Sequence, residues 1–190
     1  MRTFIAFEIP EEIQAALRAA QKAMGRLAGV HWANTAGIHL TVKFIGEIED
    51  ANVPRVFDAM KQAAEGIAPI DYAVKDLGWF PPGRRPRVLW ADVESGGEFA
   101  EIARRLDESL LGIGIAAEMR PFKPHLTLAR VRGTLDADAV EAAFSRVGGR
   151  DFGADTADEL VLFMSELLPG GARHTRMGGV PLKGTDQEDH

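Results

Sequence analysis

Residues 37–48 read Gly-Ile-His-Leu-Thr-Val-Lys-Phe-Ile-Gly-Glu-Ile, and residues 125–131 read His-Leu-Thr-Leu-Ala-Arg-Val. Both stretches alternate and carry β-branched residues, so both are read as strands. The shared core, His-Leu-Thr followed by an aliphatic residue, returns after 86 positions in a chain of 190. In a strand, residues two apart point the same way. His39 and Thr41 therefore share one face, and Leu40, Val42 and Phe44 are expected on the other, packed against helices. His125 and Thr127 share a face in the same manner, opposite Leu126 and Leu128. By the same count Lys43 falls on the His39 face. Arg130 stands five residues after His125, so a regular strand turns it away unless the strand twists or bulges there, or the side chain lies at the rim.

Outward from these strands the chain divides into two similar runs. Residues 2–9 (RTFIAFEI) read as a strand, and Pro10, Glu11 and Glu12 open a helix at the end where its dipole favours anions. Ile13, Leu17 and Met24 give that helix its apolar stripe. The His39 strand follows, then a helix at 53–65 and a strand at 72–78. The second run has a strand at 87–93, a helix at 99–111, the His125 strand at 125–131, a helix at 136–147 capped by Asp136, and a strand at 158–167. The order is β-α-β-α-β, twice. It predicts an α+β fold of two similar lobes related by a pseudo-two-fold axis, each an antiparallel-rich sheet with helices on its outer face, with a cleft between them. A single bilobal domain is expected over residues 1–183 with interleaved lobes, and a polar, disordered tail over 184–190.

Composition narrows the function. There is no cysteine, which removes disulfides and thiolate metal sites and fits a reducing cytoplasm. The apolar run at the N-terminus is too short for a secretory leader, and no segment has the length of a membrane span. A soluble, cytoplasmic protein is expected, with a monomer favoured. The net charge of −6 argues against a general nucleic-acid binder. The charge is unevenly spread, however. Residues 77–91, 119–135 and 167–185 contain no acid, yet hold Arg84, Arg85 and Arg87, then Arg120, Lys123, Arg130 and Arg132, then Arg173, His174, Arg176 and Lys183. A positive cleft on an acidic body suits a small or terminal phosphate.

Two imidazoles on either side of one phosphorus atom can split a phosphodiester. The neutral ring takes a proton from attacking water and the protonated ring gives one to the departing oxygen, each transfer contributing roughly 10²–10⁴-fold. The threonine hydroxyls and nearby cations can hold the non-bridging oxygens as charge builds on them. Rival chemistries lack their parts. Two histidines without cysteine or a paired carboxylate make a poor zinc set, no G-x-S-x-G elbow supports a serine triad, and no G-x-x-x-x-G-K-[ST] loop supports ATP chemistry. No cofactor and no metal are expected. Of the five histidines, His31 beside Trp32 reads as packing, His190 as tail, and His174 as a weaker candidate ligand contact. Phe122, in RPFKPH, and Trp79 and Phe80 could stack on a base, although burial is the commoner fate of such rings.

With the paired His-x-Thr-x motifs in view, the chain resembles the two-histidine phosphoesterase superfamily. Within it, the likeness is to the bacterial and archaeal RNA 2′,3′-cyclic phosphodiesterases, historically called 2′-5′ RNA ligases. RTFIAFEIP, GIHLTVKFIGEI, GWFPPGRRPRVLWADV, RPFKPHLTLARV and SELLPGGARHTRMGGVPL carry the resemblance across nearly the whole chain. It implies a bilobal α+β fold and metal-independent hydrolysis of an RNA 2′,3′-cyclic phosphate to a 2′-phosphomonoester. It also implies His39 as general acid, His125 as general base, and Thr41, Thr127 and Arg130 as phosphate contacts. Lys43 and Phe122 are further candidate substrate contacts. The expected substrates are RNA 3′ ends or small cyclic nucleotides. The alternatives are joining of tRNA halves through a 2′-5′ linkage and a non-catalytic binder of RNA ends or nucleotides.

Overall fold

The computed structural model describes residues 1–185. Nine strands and four helices follow in the order β1 (Arg2–Glu8), α1 (Glu11–Met24), β2 (Val30–Trp32), β3 (His39–Glu47), α2 (Val53–Ala64), β4 (Ile70–Phe80), β5 (Val88–Glu94), α3 (Glu98–Leu111), β6 (His125–Val131), α4 (Ala137–Phe144), β7 (Asp151–Ala157), β8 (Glu159–Leu168) and β9 (Gly171–Pro181). They form two sheets, ordered β3-β1-β8-β9 and β2-β6-β5-β4-β7, and every pairing within them is antiparallel. The α+β reading holds.

The two runs seen in the sequence are exchanged between the sheets. The first sheet takes β1 and β3 from the first run but β8 from the second. The second sheet takes β5 and β6 from the second run but β4 from the first. The spatial series β3-β1-β8 and β6-β5-β4 therefore correspond strand for strand, with the histidine strand leading in each.

Local chemistry explains the helices. In α1, Pro10 is extended just before the first turn, Glu11 and Glu12 sit in that turn, and Ile13, Leu17, Ala20 and Met24 are buried along one stripe. In α4, the Asp136 side chain accepts from the Asp138 backbone N–H at 3.0 Å. Those stripes and the inward faces of both sheets share one large apolar core, in which each fully buried Leu, Ile or Phe contributes about 1.5–3 kcal/mol. A second, small cluster holds Phe4, Ala6, Val161 and Phe163 on the other face of β1 and β8. That is the face His39 and Thr41 share, because Glu8 and Ala6 are their partners in the ladder.

Three strands escape sequence reading: β2, β7 and β9. All three are edge strands. An edge strand that covers little core has no buried face to impose a period of two, and DFGADTA and GARHTRMGGVP show none. Of the tail expected at 184–190, residues 186–190 lie outside the described part, while the Gly184 N–H donates to the Ile67 carbonyl at 3.0 Å. Among the described residues no helix is long and apolar enough to cross a membrane.

Candidate active site

Each histidine strand carries a bulge at the same place. Along β1 and β3, Ile5 faces Lys43 and Ala6 faces Thr41, so Val42 is the extra residue. Along β5 and β6, Leu89 faces Ala129 and Trp90 faces Thr127, so Leu128 is the extra residue. One inserted residue inverts the parity of everything after it.

Three expectations turn on this inversion. Arg130 regains the His125 and Thr127 side and is exposed, while Ala129 and Val131 go into the core. Phe44, expected against the helices, instead stands on the His39 and Thr41 side with 59% of its surface exposed. Lys43, expected on that open side, is turned inward. Its side chain is 1% exposed, and its ammonium donates to Asp107 Oδ1 at 2.6 Å and to the Ala116 carbonyl at 2.7 Å. Lys43 is thus a buried tie between β3, α3 and the segment before β6, and not a substrate contact. Phe44 and Arg130 occupy equivalent positions, five residues after their histidines.

The imidazoles rest on aromatic floors. His39 lies 4.3 Å from the Phe163 ring and 6.0 Å from Phe4, centroid to centroid. His125 meets Phe80 edge-on at 5.1 Å, and Phe80 in turn leans on Trp90 at 5.2 Å. Trp90 lies over Gly78, where a Cβ would come within 2.2 Å of the indole, so the floor requires glycine there. The Lys123 ammonium sits 4.9 Å above the Trp90 ring and 3.3 Å from Asp92. His125 Nδ1 is 2.8 Å from the Lys123 carbonyl, which fixes Nδ1 as donor in the neutral ring and leaves the Nε2 lone pair free. His39 Nδ1 is buried and, among the described residues, has no partner in good hydrogen-bond geometry.

Burial disfavours the charged form of both rings. Burial, and secondarily the neighbouring His174, push His39 down to about 4, against a smaller upward pull from the Gly37 carbonyl. Burial also lowers His125. The Lys123 and Arg130 cations add to that, while the Lys123 carbonyl and Asp92 oppose it. The carboxylate opposite His39 in the ladder, Glu8, is taken up by Arg176 at 3.1 Å. An anion placed beside these rings would restore the proton that burial removes. Anion binding is therefore expected to take up a proton. The complex holds more protons than the free chain, so affinity falls as pH rises from about 4, the free His39 value, to the higher bound value. Titration calorimetry with sulfate, in buffers of different ionisation enthalpy, reads that uptake directly; binding with no proton exchange would refute it.

Several other candidates now have places. His174 reaches the site from β9, with its ring 5.6 Å from His39 and 4.9 Å from Phe4. His31 is exposed on β2, directly opposite Arg130, and is not packing. Phe122 packs partly buried against the main core and keeps part of its surface accessible. Trp79 also packs on that core, with its indole N–H donating to the Gly83 carbonyl at 2.9 Å. His190 lies outside the described residues. Sequence reasoning missed Phe4, Phe163 and Trp90. The signal for Phe4 was available: Phe4-Ile5-Ala6-Phe7 is an unbroken apolar run, as in a strand covered on both faces. Among the described residues, no group of three or more His, Asp or Glu is arranged to hold a metal ion. Strands β3 and β6 come into contact where the two sheets meet.

The LigT-like phosphoesterase family model matches the chain twice, over residues 7–90 and 92–174, and each match contains one His-x-Thr strand. The RNA 2′,3′-cyclic phosphodiesterase of Thermus thermophilus is 34% identical over 190 residues, spanning 97% of this chain and 91% of that protein. The protein of the same name from Methanothermobacter thermautotrophicus is 28% identical over 178 residues, spanning 93% of this chain and 96% of its own. A crystal structure of a Thermus thermophilus protein matches with a TM-score of 0.81 at 30% identity, covering 98% of this chain and all of that one.

Proposed function

The chain belongs to the LigT-like phosphoesterase family, and on that premise we propose that it hydrolyses RNA 2′,3′-cyclic phosphate ends to 2′-phosphomonoesters by acid–base catalysis between His39 and His125. The observation that carries this reading is the repeated bulged strand. The same insertion after each His-x-Thr puts an imidazole, a hydroxyl and a fifth-position side chain on the open face of both sheets.

In this mechanism His125 Nε2 accepts a proton from water as the water oxygen attacks phosphorus. The bond from phosphorus to the 3′ oxygen breaks, and His39 supplies the proton that the leaving oxygen needs. Water is thereby divided, its hydroxyl going to phosphorus and a proton to the ribose. Thr41, Thr127 and Arg130 hold the non-bridging oxygens as they gain charge. The anionic substrate raises the depressed pKa values of the rings, so the general acid is charged only when there is something to protonate. The two side chains at position five divide the remaining work: Arg130 offers charge, and Phe44 offers a flat face for the base.

The reaction needs neither a metal nor a covalent intermediate. The test is to incubate the purified chain with an oligonucleotide ending in a 2′,3′-cyclic phosphate, in EDTA and oxygen-18 water. The expected product is the 2′-monoester with one heavy oxygen on phosphorus; a 3′-monoester, or turnover abolished by the chelator, refutes the mechanism. Removing the ring of Phe44 by Phe44→Ala is expected to raise KM for cyclic mononucleotides by about tenfold, since base stacking on an aromatic side chain contributes roughly 1–3 kcal/mol. Inhibition by sulfate, which has no base, should be unchanged; an equal loss for both ligands would place Phe44 elsewhere.

A further inference from the structure

Beyond Arg130 the open face of the second sheet continues, and nothing in the reaction just described uses it. Strand β2 lies along the outer edge of β6, with His31 opposite Arg130 and Val30 opposite Val131. Val30 and Trp32 pack on the core, so His31 points to the open side, as Arg130 does. The ladder runs one step further, the Arg132 N–H donating to the Gly29 carbonyl at 2.7 Å. Val131 is buried between Arg130 and Arg132, which leaves both guanidinium groups outside on one side. Thr127, Arg130 and Arg132 thus form a row with steps of about 6–7 Å for each two strand residues.

The neighbouring cations are already engaged: Lys123 with Asp92, Arg84 with Asp136 and Asp138, and Arg87 with the Gly133 carbonyl. Among the described residues, Arg130 and Arg132 have no carboxylate within ion-pair distance. Gly29 permits this edge to close. Its φ is +75°, and a Cβ there would stand 2.2 Å from the Arg132 carbonyl oxygen. Among the described residues the first sheet has no strand beyond β3, so the feature belongs to one side of the cleft alone.

We propose that His31 and Arg132 form a subsite for the phosphodiester immediately upstream of the reacting end, so that the enzyme favours RNA chains over free cyclic mononucleotides. The inference rests on the reading of the site as a cyclic phosphodiesterase. The asymmetry of the cleft gives it direction: Phe44 faces the base on one side, and the row beyond Arg130 leads the sugar–phosphate chain away on the other. A phosphodiester is a monoanion with two acceptor oxygens, which a guanidinium and an imidazole N–H can share.

The experiment compares a 2′,3′-cyclic mononucleotide with a dinucleotide carrying the same cyclic end. The wild-type chain should show the higher kcat/KM on the dinucleotide. In His31→Ala/Arg132→Ala that advantage should fall about tenfold, with the mononucleotide rate within about twofold of wild type. The slope of log(kcat/KM) against log salt on the dinucleotide should flatten by about 0.7 for the lost arginine contact. Equal losses on both substrates, or no loss on the dinucleotide, would overturn the subsite. If wild type turned over neither substrate, the catalytic reading would fail on its own. Fluorescence anisotropy with a labelled oligonucleotide ending in a 2′-phosphate would then decide the subsite separately, since the double variant must bind it more weakly. Thermal melting of the double variant, expected to match wild type, separates loss of contact from loss of fold.

Discussion

Alanine at His125 is expected to lower kcat on a 2′,3′-cyclic nucleotide by about 10³-fold, within the roughly 10²–10⁴ that a positioned proton acceptor contributes. Alanine at His39 should cost a similar factor. The double variant should lose little more than the worse single one, because each ring depends on the other to complete the transfer. The two roles can then be separated by the leaving group. An aryl phosphodiester such as bis(p-nitrophenyl) phosphate expels an oxygen that needs no proton. His39→Ala should therefore retain much of its activity on that ester, while His125→Ala loses activity on both substrates. The reverse pattern would exchange acid and base. Losses below tenfold for both variants on the cyclic phosphate, in chains whose melting is unchanged, would remove the two-histidine mechanism altogether.

Lys43→Ala is expected to destabilise the fold by about 3 kcal/mol, the lower end of what breaking a buried ion pair costs when its partner stays behind. For a chain of this size that lowers Tm by roughly 6–12 °C. The reason lies in what the ammonium satisfies. Asp107 keeps only the Glu118 N–H on its other oxygen, at 3.2 Å, and the Ala116 carbonyl loses its side-chain donor at 2.7 Å. Lys43→Met retains the apolar stem but strands the same two acceptors, so most of the loss should remain. Lys43→Met/Asp107→Leu removes donor and acceptor together and should recover a good part of it. Urea melts of the three variants measure this, and a Lys43→Met midpoint equal to wild type would show that the pair contributes nothing.

How far the sequence could be read follows from the same strands. The histidine strands, the flanking helices and the duplicated order were legible because each buries one regular face, and burial writes a period into the sequence. The bulges were not. An inserted residue leaves no mark in composition; it exists only as a mismatch of count between β3 and β1, or between β6 and β5. Lys43, Phe44 and Arg130 all follow a bulge, and they are the three residues whose direction simple alternation gave wrongly or left open. His174 and His31 were underrated for another reason. Both stand on edge strands, and the residues they approach, His39 and Arg130, lie far away in sequence, so the nearness arises only when the sheets assemble.

The exchange of β4 and β8 between the sheets also governs how the molecule comes apart. Neither sheet is drawn from one continuous half of the polypeptide, so each lends the other an interior member. Among the described residues, pulling β8 out strips β1 of one neighbour and β9 of its only one, and pulling β4 out does the same to β5 and β7. Both sheets also pack on one apolar core, so loss of either histidine strand is expected to expose the side chains that support the other. Loss of secondary structure and loss of turnover should accordingly share one midpoint, as the interlocked halves dissolve in a single cooperative event.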